Sequence, residues 1–171
     1  MQLVKKIVPA IGVIWIFLLI FMPKTELYFL LEKKLVEQDI QINEAKIDER
    51  LFSLDIQKAT IFYKGIPVAS AKSANIFSVL AYSRVLLKDI EFDALLASSL
   101  PQKVQILKLT HSVLDPIHLL VWAKGSFGTV KGNFDLKSKK LHLDFVETKE
   151  IDNIRESLQK DQKGYYYEIS F

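Results

Sequence analysis

The sequence contains no cysteine, and its 171 residues include only six glycines and five prolines. Without cysteine the chain has no disulfides, no thiolate nucleophile and no zinc or iron–sulfur site with cysteine ligands. With 50% hydrophobic and 25% charged residues, the composition also excludes collagen-like and disordered chains. A chain of this length is long enough for one domain with a hydrophobic core, so we expect one folded domain.

The sequence also lacks a strong excess of either charge. It has 23 lysines and arginines against 20 acidic residues, and Lys5 and Lys6 of the basic set precede the first apolar run. Proteins that bind nucleic acids concentrate lysine and arginine on one face. The near-neutral remainder gives no reason to expect a nucleic-acid partner.

Motifs of enzymes and metal sites are missing as well. The three histidines, His111, His118 and His142, lack metal-ligand spacing. No nucleophile elbow, P-loop or dinucleotide fingerprint occurs. We therefore expect that the protein is not an enzyme and that it has no catalytic residue, bound metal or cofactor. An enzyme site that uses Asp89, Glu91 and His111 is an alternative without a specific motif.

The three glycines Gly125, Gly128 and Gly132 follow each other at short intervals in strand-like sequence. A phosphate-binding loop would need a following lysine and serine or threonine, and it would precede a helix. We therefore assign these glycines to β-bulges or to curvature of a sheet.

The longest apolar run covers residues 7–22 and reads IVPAIGVIWIFLLIFM, without a charge. As a helix it is roughly 24 Å long, and about 30 Å if it begins at Leu3, which matches a bilayer core. Bulky residues at its end argue against a cleaved signal peptide. We predict an uncleaved signal anchor within residues 1–23, with the amino terminus cytoplasmic. A cleaved signal and a buried core helix are the alternatives.

The side chains expected to anchor this segment in the membrane are apolar residues spread along the run. They are Ile7, Val8, Val13, Ile14, Trp15, Phe17, Leu18 and Phe21. The lipid bilayer is therefore one expected partner.

An amphipathic connecting helix is predicted over residues 24–38. Leucines recur at helical spacing, at Leu27, Leu30, Leu31 and Leu35. This helix is expected either to lie on a membrane or pair with a partner helix, or to pack on the domain that follows.

Residues 39–171 change from helical to two-residue periodicity, which predicts short antiparallel strands and hairpins. A polar helix is predicted near 150–160, where Ile151, Ile154 and Leu158 form a thin apolar stripe. The fold class is therefore one N-terminal transmembrane helix followed by a mainly-β (α+β) domain, whose antiparallel curved sheet is flanked by two helices.

Four segments of the chain read PKTELYFLLEKKL, DIQKATIFYKGIPVASAKSANI, GTVKGNFDLKSKKLHLDF and GYYYEISF. Together they resemble the inner-membrane protein N of type II secretion systems and the wider AsmA-like group. The resemblance implies a single-pass protein of the cell inner membrane with a periplasmic curved sheet. It also implies a role in a secretion machine or in an envelope system that handles lipids.

We expect one of two functions. The first is a non-enzymatic scaffold or accessory component of a type II secretion-like envelope machine, which binds other envelope proteins by strand addition. Its candidate partner edge is the final alternating strand, with Tyr165, Tyr167, Ile169 and Phe171. The alternative is a periplasmic module that binds or transfers lipid, comparable to protein C of lipopolysaccharide transport. An apolar groove left open in the folded domain would favour the lipid ligand.

Overall fold

The computed structural model describes residues 24–79, 81–93, 101, 103–152, 154–162 and 164–171. In these residues the chain begins with one α-helix, α1 (Lys24–Val36), and continues as strands. The strands are β1 (Ile40–Asn43), β2 (Lys46–Glu49), β3 (Ser53–Tyr63), β4 (Ile66–Val79), β5 (Tyr82–Phe92), β6 (Lys103–Ser112), β7 (Asp115–Gly125), β8 (Gly128–Asp135), β9 (Lys140–Thr148), β10 (Gln159–Asp161) and β11 (Gly164–Ser170).

The strands form one antiparallel sheet in the order β1-β3-β4-β5-β6-β7-β8-β9-β11-β10, and β2 also pairs with β3. From β3 to β9 each strand pairs with the next one along the chain. Short turns join most of these successive strands, as between β3 and β4 or between β7 and β8, and a tight turn can join only antiparallel neighbours. Strand β11 then pairs with β9, and β10 pairs with the outer side of β11.

Alternate residues of each strand lie on one face of the sheet, which we call the inner face, and these residues are mostly apolar. Two buried clusters lie on it. The first contains Tyr28 of α1 with Leu54, Ile56, Ala59 and Ala74 of the sheet. The second contains Ala71, Ile90, Val104, Phe127, Val130, Ile151 and Ile154. Leu87 packs against both clusters, so the apolar inner face is continuous across the sheet.

Two of the glycines assigned to curvature occupy positions where a side chain does not fit. Gly128 has a φ of +105°, next to a register shift between β8 and β9. At Gly132 an added Cβ would collide with the backbone carbonyl of His142 on β9. These glycines therefore allow a bulge and a close backbone approach in this part of the sheet.

The membrane predictions require correction. In the described ranges the single α-helix has 13 residues, and no helix there is long and apolar enough to cross a bilayer. The predicted fold class, the transmembrane and signal-anchor assignment, and the single-pass inner-membrane location are wrong on this finding. Residues 1–23, with all eight predicted anchor side chains, lie outside the described part of the chain.

The second flanking helix, predicted near 150–160, is also wrong. The chain there makes successive turns whose backbone bonds join residues three apart, with a 3-10 helix only at Arg155–Ser157. These turns bury Ile151 and Ile154 against Phe127 and Val130. The chain then extends as β10, which pairs with β11. Short turns alone are thus enough to bury the two isoleucines, and a regular helix is not needed.

Candidate functional site: an apolar groove on the inner face

The inner face carries a groove of 550 Å³ where it crosses β6, β7, β8, β9 and β11. Each of these strands contributes inward apolar side chains, among them Leu107, Val121, Val130, Leu143 and Ile169. The two-residue period of each strand places these side chains on the same face. The groove is therefore a direct product of the strand pattern.

The floor of the groove follows the register of four strands. Val121 lies opposite Gly132, Gly132 lies opposite Leu143, and Leu143 lies opposite Tyr167. Gly132 thus lies between the strand positions of Val121 and Leu143 without a side chain of its own. The collision that an added Cβ would make with the His142 carbonyl excludes a larger residue at this point.

One end of the groove is closed by the β7–β8 turn and by the turns after β9. Phe127 in the first turn packs edge-to-face on Phe145, with ring centroids 6.2 Å apart. Ile154 and Leu158 from the later turns also line the groove, and Phe127 and Ile154 are buried. Phe127 and Ile154 belong to the second core cluster, so this end of the groove is formed by packed core residues.

The other end lies where β9 begins and β11 ends. Leu141, Ile169 and Phe171 line it, and Phe171 is 74% exposed. The ring of Phe171 contacts Phe134 edge-to-face at 6.1 Å. An exposed aromatic ring at this end forms an apolar mouth to the groove.

The lining of the groove has almost no polar chemistry. Of its residues in the described ranges none is charged, and only Ser157 and Tyr167 carry a hydroxyl group. Burying an ion or a polar group here would cost free energy without a compensating hydrogen bond. The groove thus suits an apolar ligand.

Helix α1 covers the neighbouring part of the inner face, over β1 to β3. Its only buried residue is Tyr28, whose hydroxyl group donates a hydrogen bond of 3.3 Å to Glu44. Burial, followed by the charges of Glu44 and Glu32, raises the pKa of Tyr28 above its usual value. Tyr28 therefore stays neutral and fixes the helix to the sheet.

The predicted leucine stripe of this helix faces away from the sheet. Leu27, Leu30 and Leu31 are exposed, and Leu35 is half-buried. The spacing of these leucines could not show which side of the helix packs on the sheet, since Tyr28 lies between them in sequence.

The amino end of α1 is held by a carboxylate from β2. Glu49 accepts hydrogen bonds from the backbone N–H groups of Lys24 and Thr25 and a bond of 2.5 Å from the Thr25 hydroxyl group. These bonds lower the pKa of Glu49, the Thr25 hydroxyl bond having the largest effect. The carboxylate thereby satisfies free N–H groups at the positive end of the helix.

The four residues predicted as a partner edge lie in or next to β11. Tyr167, Ile169 and Phe171 line the groove, and Tyr165 packs against the second core cluster. Their side chains thus belong to the inner face. The backbone of β11 is covered on its outer side by β10 only at Gly164, Tyr165 and Tyr166.

The three histidines lie apart from the groove lining. Nδ1 of His118 is 2.8 Å from Asp115, and His142 lies between Glu168 at 3.0 Å and Asp144 at 3.2 Å. His111 contacts the backbone carbonyl of Pro116 at 3.3 Å. In the described ranges no group of three or more histidine and acidic residues is arranged to hold a metal ion.

The two-residue periodicity of residues 39–171 predicts strands but does not show which of them assemble into a groove. The register that joins Val121, Gly132 and Leu143 depends on two hairpins and a bulge, which periodicity alone does not place. The available signal was the glycine at position 132 between strands with bulky inward residues.

No family model, curated protein or solved structure matches this chain. The resemblance to the secretion and AsmA-like group therefore stays a prediction.

Proposed function

We propose that this protein binds the acyl chain of a lipid in the groove on its inner face. One observation carries the proposal: the folded sheet leaves a groove of 550 Å³ with no charged residue in its described lining. This volume lies within the range of pockets that bind small molecules, which are mostly apolar. The site offers no catalytic group, so the proposed activity is binding or transfer.

The groove is long enough to hold a segment of an extended acyl chain. It crosses from Leu107 on β6 to Tyr167 on β11, which are separated by four interstrand spacings, or about 19 Å. An extended hydrocarbon segment can lie across the strands over this distance. Phe127 and Ile154 close the groove on the side of the β7–β8 turn, and Phe171 is exposed on the side where β11 ends, so a ligand enters from the Phe171 side.

The proposal is tested with a fluorescent fatty acid, cis-parinaric acid, and two neighbouring substitutions in the full-length chain. Val121→Trp places an indole in the groove, whereas Leu120→Trp places it on the opposite face, where Leu120 is 56% exposed. We expect Val121→Trp to weaken binding about tenfold or more, because the floor is filled. Leu120→Trp is expected to bind as the unmodified chain does.

Equal affinity of both variants would overturn the proposal. Circular dichroism and urea unfolding of each variant show whether Val121→Trp still folds. Since both variants keep residues 1–23, binding of the probe to that apolar run would affect them equally. If Val121→Trp does not fold, Val121→Phe serves as the groove-filling variant and is compared with Leu120→Phe.

A second candidate function, scaffolding by strand addition, is favoured by the edge of β11. The N–H group of Phe171 donates to the carbonyl of Lys139 on the β9 side. Backbone groups alternate between the two sides of a strand, so those of Glu168 and Ser170 point to the other side. Strand β10 ends its pairing before these residues. An extended segment of a partner protein can add there.

Photocrosslinking in cells tests this second candidate. A photoreactive residue at Ser170 is expected to yield protein adducts, and one at Tyr82, in the β4–β5 turn region, is expected to yield none. The Ser170→Pro change removes the N–H group and should abolish a complex detected through a photoreactive residue at Phe171. Adducts with lipid alone would contradict the scaffold.

A further inference from the structure

The face of the sheet opposite the groove, which we call the outer face, carries a regular pattern of lysine and apolar residues. One cross-strand row contains Leu86, Lys108, Trp122 and Lys131, on β5 to β8. The next row contains Lys88, Ile106 and Lys124. Lysine and apolar side chains thus alternate in both directions.

We call Lys88, Lys108, Lys124, Lys131 and Trp122 the lysine–tryptophan patch. None of its lysines forms an ion pair with an acidic residue of the described chain. The nearest acid by register is Asp144, opposite Lys131, and Asp144 contacts His142 instead. The patch therefore concentrates positive charge that the fold itself does not neutralise.

The lysines are also close enough to repel each other. Lys108 and Lys131 flank Trp122 on the two neighbouring strands, so their Cβ atoms are separated by about 10 Å, two interstrand spacings. This is slightly more than the Debye length of about 8 Å at physiological ionic strength, so the repulsion acts mainly at lower salt. A ligand with several negative charges would relieve the repulsion.

Trp122 and Leu120 add an apolar component to this surface. With Lys108, Thr110 and Lys131 they line a shallow depression of 470 Å³, and Leu120 is 56% exposed. Tryptophan and leucine beside lysine are typical of surfaces that lie in the interface of a membrane. Lysine stems extend along apolar surface while their ammonium groups reach lipid phosphates.

We propose that the lysine–tryptophan patch is a peripheral docking surface for a bilayer that contains anionic lipids. The contact needs no membrane-spanning segment, and it does not rest on the function proposed for the groove. Single-stranded nucleic acid is the other polyanion to consider. It is disfavoured because base-binding sheets stack several aromatic rings, whereas Trp122 is the only aromatic residue of the patch.

The experiment measures binding of the full-length chain to vesicles of phosphatidylcholine alone and to vesicles that also contain phosphatidylserine. A Trp15→Phe background leaves Trp122 as the only tryptophan of the chain, so its emission reports on the patch. We expect a blue shift of Trp122 emission only with the anionic vesicles, and we expect salt to reverse it. The double variant K108E/K131E is expected to bind those vesicles roughly 30-fold more weakly.

The matched control is K137E/K149E, which makes the same change in net charge at two exposed lysines outside the patch. It should bind as the unmodified chain does. Equal losses in both double variants, a Trp122 shift with neutral vesicles, or no Trp122 shift would overturn the proposal. Tight binding of a single-stranded oligonucleotide that K108E/K131E abolishes, without vesicle binding, would also overturn it and would assign the patch to nucleic acid. Fatty-acid binding by K108E/K131E should be unchanged, so this result is separable from the test of the groove.

Discussion

Leu143 of β9 and Tyr167 of β11 lie directly opposite each other, and both side chains line the apolar groove. This pairing joins β9 to β11, the strand that follows the turns in which Ile151 and Ile154 are buried. The groove thus depends on the return of β11 to the sheet, beside β9, after the chain has passed through Ile151 and Ile154. The strand pairing that completes the sheet therefore also completes the groove.

A charge placed in the groove should weaken lipid binding. In Ile169→Asp the carboxylate would lie among apolar side chains without a hydrogen-bond partner, which makes acyl-chain binding unfavourable. We expect a loss of affinity for the fluorescent fatty acid of about tenfold or more. The neighbouring Ser170→Asp, at an exposed position, is the control and should bind normally. Similar affinities for the two variants would contradict a ligand that lies against β11.

The absence of a side chain at position 132 should be required for the sheet. Gly132→Ala would push a Cβ into the backbone carbonyl of His142, so β8 and β9 would have to separate. We expect a loss of about 1–3 kcal/mol in the free energy of unfolding, measured with urea. Asn133→Ala, the next residue along β8, is the control and should change stability by less. An unchanged midpoint in Gly132→Ala would show that the close approach is absent in solution.

Tyr28 should carry most of the attachment of α1 to the sheet. Tyr28→Ala removes the one buried ring of the helix, and we expect it to cost about 3–5 kcal/mol. Tyr28→Phe keeps the ring and loses only the bond to Glu44, at a cost of about 1 kcal/mol. Urea unfolding measures both values. Equal effects would mean that the hydrogen bond, and not the packing, holds the helix.

Acid should loosen the amino end of α1. The folded-state pKa of Glu49 is lowered by its bonds to Thr25 and Lys24. Its contribution is therefore present above the pKa of the unfolded chain and is lost as the pH falls through the lower, folded-state pKa. Hydrogen exchange at the first turn of α1 should become faster over that interval, relative to exchange in β7. Glu49→Gln should remove this pH dependence, and its persistence in that variant would assign the effect to another group.

Much of the sheet could be predicted from residue patterns because its strands are antiparallel neighbours in sequence. Alternation at Leu119, Val121 and Ala123, or at Leu141, Leu143 and Phe145, indicates which residues share a face. Such a pattern does not show what covers that face. The 150–160 region illustrates this limit of pattern reading. Ile151 and Ile154 are three residues apart, a spacing that fits a helix and a pair of tight turns equally well. The sequence does not show that both side chains pack on Phe127 from short turns.

The outer face shows a second limit. Overall charge is nearly balanced, so the composition gives no reason to expect a polyanionic partner such as nucleic acid. The lysines of the patch are far apart in sequence, at 88, 108, 124 and 131, and only the register of β5 to β8 brings them together. Composition cannot report such a cluster, because acidic residues elsewhere cancel its charge in the total.

The most direct test of the groove is photolabelling of the full-length chain with a fatty acid that carries a diazirine on its acyl chain, followed by peptide mapping. We expect adducts on groove residues, above all Val121, Leu143 and Ile169, and we expect excess palmitate to prevent them. Adducts confined to residues 1–23 or to the outer face, or labelling that palmitate does not reduce, would contradict it.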